Sequence, residues 1–440
     1  MRRILSLILC GMLMMSLLSG CGQSSTNAKN EGASDLESVT VDIFQNKSEV
    51  AQQLEAAAKT YMEANPGVVI NIETVQGNDY NTALKAKMLV NDAVDIMALG
   101  ANDIVNNYKD YLEDLSDQPW LANVSDGLLE DAKLEGKVVG LPVNIEGYGI
   151  AYNKAIFSAA GIDASKLTSY DAIDQAFSDL QQKIDSGALK AEFPQLESVF
   201  EYAAKESWVM GLHTLNIPMA NELGSAKAAL EADEIELKYS NEFKDLLTLL
   251  TQYTSSKEDL KLLLAVDYST QIGGGLAIER VAAVQQGNWI GPEVKSISPE
   301  VYENLDFLPL PLKGVKEDSI AVGVPAYWCV NKNADEATKK AAKDFMNWLY
   351  QSDEGKSIVV NQLGYIPAFK NYDGVEITDP LSASIQRYVR EGKTMPWVFG
   401  GFPSGYEGQS ASDIQAYIGG ETTWDECIQA LKDDWKALKK

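Results

Sequence analysis

Apolar and polar residues alternate over residues 39–44 (Val-Thr-Val-Asp-Ile-Phe), the period of a half-buried strand. From Ser48 the period lengthens: Val50, Leu54, Ala57, Ala58 and Tyr61 recur at helical spacing until Pro66-Gly67 stops the run. Residues 68–74 predict a second strand, residues 80–89 a second helix, and residues 94–99 a third strand ending at Gly100. Strand–helix–strand alternation of this kind implies an α/β domain with a mostly parallel sheet. Ligands of such sheets bind beyond the carboxyl ends of the strands. That rule singles out Gln45 and Asn46 after the first strand, and Asn102 and Asp103 after the third.

Further along, residues 137–143 and 149–153 predict two strands, with Asn144-Ile145-Glu146-Gly147-Tyr148 between them. A long helical stretch is predicted over 168–264, interrupted after it by Gly273-Gly-Gly275. A helix is then expected over 276–285, leading into Gly287-Asn288-Trp289, followed by strands over 305–310 and 320–330 and helices over 335–350 and 423–438. In the last helix, residues 424, 427, 428, 431, 435 and 438 form one apolar face, which makes Cys427 a buried free thiol.

The first twenty residues read as a leader. Arg2 and Arg3 precede an uncharged apolar run over 4–18, too short for the ~20 residues of a membrane span and suited to a signal-peptide core. The run ends Leu17-Leu18-Ser19-Gly20-Cys21, which resembles the lipobox of bacterial lipoproteins; the resemblance implies cleavage before Cys21 and lipid attachment to it. Residues 21–38 are small and polar, a flexible tether.

Composition narrows the function. The 440 residues carry a net charge of −26, which disfavours nucleic acid, since phosphate binding needs clustered Lys and Arg. A single histidine, His213, excludes two-histidine zinc motifs. Past the leader, arginine occurs only at 280, 387 and 390, which argues against anionic ligands that recruit Arg forks. With 63 acids some pair of carboxylates is always close, so composition cannot support a glycoside hydrolase. A phosphate-binding GxxxxGK[ST] loop is absent from the sequence.

Several segments, in order, resemble the extracellular solute-binding proteins of ABC importers, in the carbohydrate-binding family related to maltose-binding protein. Tyr61-Met-Glu-Ala-Asn-Pro-Gly-Val68 is similar to the family's F-x-x-x-x-P-G-I, and Val94-Asp-Ile-Met97 to its P-D-V strand. Leu134-Glu-Gly-Lys-Val-Val-Gly-Leu-Pro142 with Ile150-Ala-Tyr-Asn-Lys154 resembles its crossing between lobes. Arg280-Val-Ala-Ala-Val-Gln-Gln-Gly-Asn-Trp289 is similar to its G-K-A-A-M-x-x-x-G-x-W; residues 337–350 and Gly364-Tyr-Ile-Pro-Ala368 complete the match, which runs from Val39 to about Leu438. The resemblance implies an α/β, two-lobe periplasmic-binding-protein-like fold with interlobe hinge strands and a ligand cleft. It sets lobe 1 at 39–147 with 323–373 and lobe 2 at 148–322 with 374–438.

It also implies capture of a sugar, with a neutral oligosaccharide expected, and delivery to permease subunits by a lipid-anchored, extracytoplasmic monomer that uses no cofactor or metal. Sugars offer flat C–H faces to aromatic rings and hydroxyls to polar side chains. Trp289 matches the family's stacking residue. Trp208, Trp397 and Phe402 match cleft aromatics, and Trp328 fits cleft or core equally. Glu146 matches an acidic contact at the first crossing, with a hinge or surface carboxylate as the alternative. Gln45 and Asn46 match the first binding loop, with a helix cap as the alternative. Asn102 and Asp103 sit where the family places a sugar-binding Asp. Trp348, Trp424 and Trp435 read as core, and Trp120 has no assignment. A polyamine, which would want several acids and an aromatic box, is the alternative ligand; an adhesin or chemoreceptor role without transport is a further alternative.

Overall fold

A computed structural model describes residues 38–75, 79–89, 94–372 and 375–439. The leader, Cys21 and nearly all of the tether lie outside the described residues. The strands, in chain order, are β1 (Val39–Gln45), β2 (Val68–Thr74), β3 (Ile96–Leu99), β4 (Lys133–Leu134), β5 (Lys137–Val138), β6 (Leu141–Pro142), β7 (Glu146–Asn153), β8 (Ser198–Glu201), β9 (Val281–Gly287), β10 (Leu305–Leu308), β11 (Ile320–Gly323), β12 (Tyr327–Val330) and β13 (Thr394–Pro396). They form two main sheets and a small hairpin of β4 and β5. The first sheet has the order β2-β1-β3-β12-β6, and the second the order β13-β11-β7-β9-β8, with β10 also paired to β7.

In the first sheet, β1 pairs in parallel with both β2 and β3, as the strand–helix–strand pattern requires. The helix Ala51–Ala64 covers it with Leu54, Ala57, Ala58 and Tyr61, the positions of the helical period. Helix Glu336–Gln351 packs on the same core and starts from Asp335, whose side chain accepts from Ala337 N and Thr338 N. The second sheet is covered on both faces. Along β7, Tyr148, Ile150 and Tyr152 enter one apolar cluster and Ala151 the other, the alternation of a strand buried on both sides. The C-terminal helix Trp424–Leu438 closes the first of these clusters and begins in a reciprocal capping box between Thr423 and Glu426. Cys329 and Cys427 are both buried free thiols, in the cores of different sheets.

Three expectations differ from the structure. The helix expected over 276–285 is a single 3-10 turn at Leu276–Ile278 followed by the strand β9, all of whose residues are buried between β7 and β8. A run of Val and Ala covered on both faces has no alternation to mark it as a strand. The helical stretch over 168–264 is broken by β8, and the single strand over 320–330 is two. Val324-Pro325-Ala326 separates β11 in the second sheet from β12 in the first; Pro325 has no N–H to continue a ladder.

Tyr80 ties together two strand ends that border the site. Its hydroxyl donates to Phe44 O (3.1 Å) and accepts from Ala98 N (2.9 Å), all buried. Tyr80→Phe removes one hydrogen bond from a buried carbonyl and one from a buried N–H, and is expected to cost about 2 kcal/mol, read as a lowered urea midpoint at unchanged slope. An unchanged midpoint would show that the two strand ends do not depend on this hydroxyl.

Candidate ligand-binding cleft

The carboxyl ends of β1 and β3, the start of β7, the ends of β9 and β11 and the loop after β13 converge on one cavity of about 1930 Å³. One wall belongs to the first sheet and is polar. Asn46, Lys47 and Glu49 follow β1, and Asn102, Asp103 and Asn107 follow β3. Residues Asp103–Asn107 form a π-helical turn, closed by Tyr108 N donating to Asp103 O (2.8 Å). Such turns are rare and cluster at functional sites. Asp103 accepts from Asn107 Nδ2 (2.7 Å), and burial pushes its carboxyl up in spite of that bond. Asn102 and Asn107 both donate to Ser404 Oγ (2.9 and 3.1 Å), a residue of the opposite wall.

Lys47 reaches across to Glu146, the first residue of β7, at 2.5 Å, and lies 3.6 Å from Glu49. Burial acts to lower the Lys47 ammonium, but the two carboxylates outweigh it and leave it raised. Burial, and then repulsion from Glu146, raise Glu49 against the pull of Lys47. Asn144 Nδ2 donates to Glu146 as well (3.0 Å).

The other wall is aromatic and belongs to the second sheet. The lone histidine sits at its centre. His213 stacks on Tyr148 (4.2 Å, 15°) and lies 5.2 Å from Trp289, 5.2 Å from Trp208, 5.6 Å from Phe399 and 6.0 Å from Trp397. It rides on a second π-helical segment, Trp208–Thr214, and its carbonyl accepts from Tyr148 Oη (2.9 Å). Trp208 meets Trp289 edge-on (6.2 Å, 70°). Both indole N–H groups are used within the protein: Trp208 Nε1 donates to Glu206 (3.0 Å) and Trp289 Nε1 to Gln286 (2.9 Å). Burial, reinforced by Lys47, drives the His213 pKa down to about 3, so the ring is neutral at physiological pH.

The cavity therefore brings together Asn46, Asn102, Asp103, Glu146, Trp208, Trp289, Trp397 and Phe402. Phe402 is mostly buried, packed on Tyr406 (5.5 Å) and Trp435 (5.3 Å). Two residues fall elsewhere. Gln45 is buried outside the lining: its Oε1 accepts from Lys47 N (2.5 Å) and its Nε2 donates to Thr74 Oγ1 (2.5 Å), so it shapes the loop that presents Lys47. Trp328 lies in the core of the first sheet against Phe345 (6.3 Å) and Tyr350 (6.1 Å), because side chains alternate along β12 and Tyr327 takes the cavity side. Arg280 likewise stays out of the lining and pairs with Glu201 (3.0 Å). Sequence reasoning missed Lys47, His213, Phe399 and Ser404, which line the cavity, and Tyr148, which is buried behind His213. Nothing in the local pattern marks His213; only its rarity sets it apart.

His213 gives a direct check on this geometry. A native pKa of about 3 against ~6.5 unfolded means the unfolded chain takes up the proton first. Its contribution is complete above about pH 6.5 and is lost as pH falls toward 3, by up to ~1.4 kcal/mol per pH unit. In a nitrogen-edited NMR titration the single imidazole should stay neutral from about pH 8 to pH 5. A midpoint near 6.5 would place the ring in water and refute the buried wall.

The family model described as "Bacterial extracellular solute-binding protein" matches residues 56–386. A multiple sugar-binding protein of Streptococcus mutans is 21% identical over 295 residues, 64% of this chain and 64% of that protein, so the chain spans just under two thirds of that relative. The melibiose/raffinose/stachyose-binding protein MelE of Bacillus subtilis is 22% identical over 353 residues, 79% of this chain and 77% of MelE. Among solved structures, RafE in complex with raffinose aligns with a TM-score of 0.72 at 18% identity, covering 92% of this chain and 100% of that one. A sugar transporter protein of Bacillus licheniformis in complex with stachyose gives 0.68 at 20%, covering 91% and 100%. This chain shares with these structures the two-lobe periplasmic-binding fold. The chain belongs to the family of bacterial extracellular solute-binding proteins.

Proposed function

We propose that this protein captures a neutral oligosaccharide in the cleft and delivers it to the permease subunits of an ABC importer. The observation that carries the reading is the pairing of walls. Trp289, Trp208 and Trp397 offer ring faces on one side, while Asn46, Asn102, Asp103 and Lys47 offer hydrogen-bonding groups on the other. That is the chemistry a pyranose needs, with C–H faces to rings and hydroxyls to polar groups. Carboxylates outnumber cations along the lining, which disfavours a uronate or a sugar phosphate. The relatives named for raffinose, stachyose and melibiose support the oligosaccharide.

Lobe 1 is proposed as 39–147 with 323–373 and lobe 2 as 148–322 with 374–438. Closure is favoured by the ligand's higher affinity for the closed state. The family is extracellular, and among the described residues no helix is long and apolar enough to cross a membrane. A lipid on Cys21 and the tether that follows would hold a monomer at the cell membrane, near its permease. No catalytic step is included. The acids Glu49, Asp103, Asp131, Glu293 and Glu407 in the lining support a second reading, a polyamine ligand.

A thermal-shift panel of raffinose, stachyose, melibiose and spermidine separates the two readings. A ligand present at 100 times its Kd adds about 2.7 kcal/mol. A carbohydrate is expected to raise the melt; a rise with spermidine alone would replace the sugar reading. Trp289→Ala should weaken carbohydrate binding about tenfold or more in calorimetry, with the far-UV spectrum retained. Unchanged affinity would remove Trp289 from the site. Cys21→Ala should release the protein from the membrane fraction of producing cells; continued anchoring would refute the lipid attachment.

A further inference from the structure

At the cleft end of the second sheet, three neighbouring strands place a Glu, a Tyr and two glycines on one face. Glu146 and Tyr148 are two apart on β7 and so point the same way. Gly323 on β11 pairs directly with Glu146, and Gly287 on β9 pairs directly with Tyr148. Residues directly opposite in an antiparallel pair share a face. The two glycines are therefore the two positions on this face where the sheet carries no side chain beside Glu146 and Tyr148.

Both gaps are filled by tryptophan rings. A Cβ built on Gly287 would come within 2.1 Å of the six-membered ring of Trp289, and one built on Gly323 within 2.6 Å of the Trp397 ring. Neither glycine has a positive φ, so neither is explained by backbone conformation. The seated rings flank Tyr148, Trp289 at 6.4 Å and Trp397 at 5.7 Å, and each lies within 6.0 Å of His213. A methyl at Gly287 would force the Trp289 ring out by about 1.5 Å to reach an ordinary carbon contact.

We infer that Gly287 and Gly323 are positioning residues of the binding site: paired seats that hold the Trp289 and Trp397 rings flat on the sheet, at the spacing and tilt the ligand meets. The part of this inference that concerns ligand rests on the sugar reading; the seating of the rings does not. Since the rings are held by the absence of a side chain, the smallest possible substitution, a methyl, displaces them.

Two measurements test this. With 5-fluorotryptophan incorporated, the fluorine spectrum of the ligand-free protein reports eight tryptophans, assigned by single Trp→Phe variants. Gly323→Ala should move the Trp397 resonance and Gly287→Ala the Trp289 resonance, while Gly67→Ala, in open space on the other sheet, should move neither. Unmoved resonances would overturn the seats, whatever the protein binds. Raffinose affinity by calorimetry then supplies a double-mutant cycle. Gly287→Ala should weaken binding about tenfold in the native background and have almost no effect in a Trp289→Ala background. An equal loss in both backgrounds would mean that the glycine acts independently of the ring, and would overturn the positioning role. If Gly287→Ala does not fold, Gly323→Ala against Trp397→Ala runs the same cycle. If raffinose binds none of the proteins, the sugar reading fails for this ligand while the fluorine spectra still decide the seats.

Discussion

The architecture turns on the points where the chain leaves one sheet and enters the other. A crossing segment has left one ladder and not yet joined the next, yet its backbone N–H and C=O groups are buried and must be paired. The crossings solve this by pairing with each other. Val143 N donates to Ala326 O (3.1 Å), and Ile145 N to Ile366 O (2.8 Å). Three segments distant in sequence are thereby tied into one joint between the sheets. Glu146 begins β7 immediately beyond the joint, and Gly323 ends β11 immediately before it. The cleft lies where it does because these strands must begin and end there.

Around that joint the cavity sorts its polar groups by desolvation. An isolated charge is costly to bury, so the charged groups buried there, such as Lys47, Glu146, Asp103 and Glu407, are paired or shifted toward the neutral form. Lys47 stays charged because Glu146 and Glu49 surround it. Asp103 and Glu407 are raised by burial, and His213 is driven to its neutral form. A buried ion pair contributes little net stability, since desolvation offsets the attraction. What Lys47 and Glu146 do is fix the relation between a loop of the first sheet and a strand of the second. The aromatic wall complements this: the indole N–H groups of Trp208 and Trp289 are bonded internally, so these two rings line the cavity without an unpaired donor.

Much of the first sheet and of the helix that covers it was readable from period alone. The β1 alternation, the helical spacing of Leu54, Ala57, Ala58 and Tyr61, and the Pro66-Gly67 stop each appear in the structure within a few residues. The rule that ligands bind beyond strand ends pointed to Asn46, Asn102 and Asp103, which line the cavity. It failed at Gln45, whose amide is consumed in shaping its own loop. The second sheet was less readable because it is covered on both faces. Without alternation, β9 looked helical and β8 disappeared into a helical stretch.

The sequence by itself determined the α/β class and the residue types available for binding. These depend on local period and composition, which a linear chain displays directly. Only the tertiary structure decided that Trp328 faces a core while Tyr327 faces the cavity, that Lys47 meets Glu146, and that the single histidine stands at the centre of the aromatic wall. It also decided that two unremarkable glycines lie beneath tryptophan rings. Each of these is a meeting of segments brought together by strand pairing and crossing, and a contact between distant segments leaves no local period for a sequence to show.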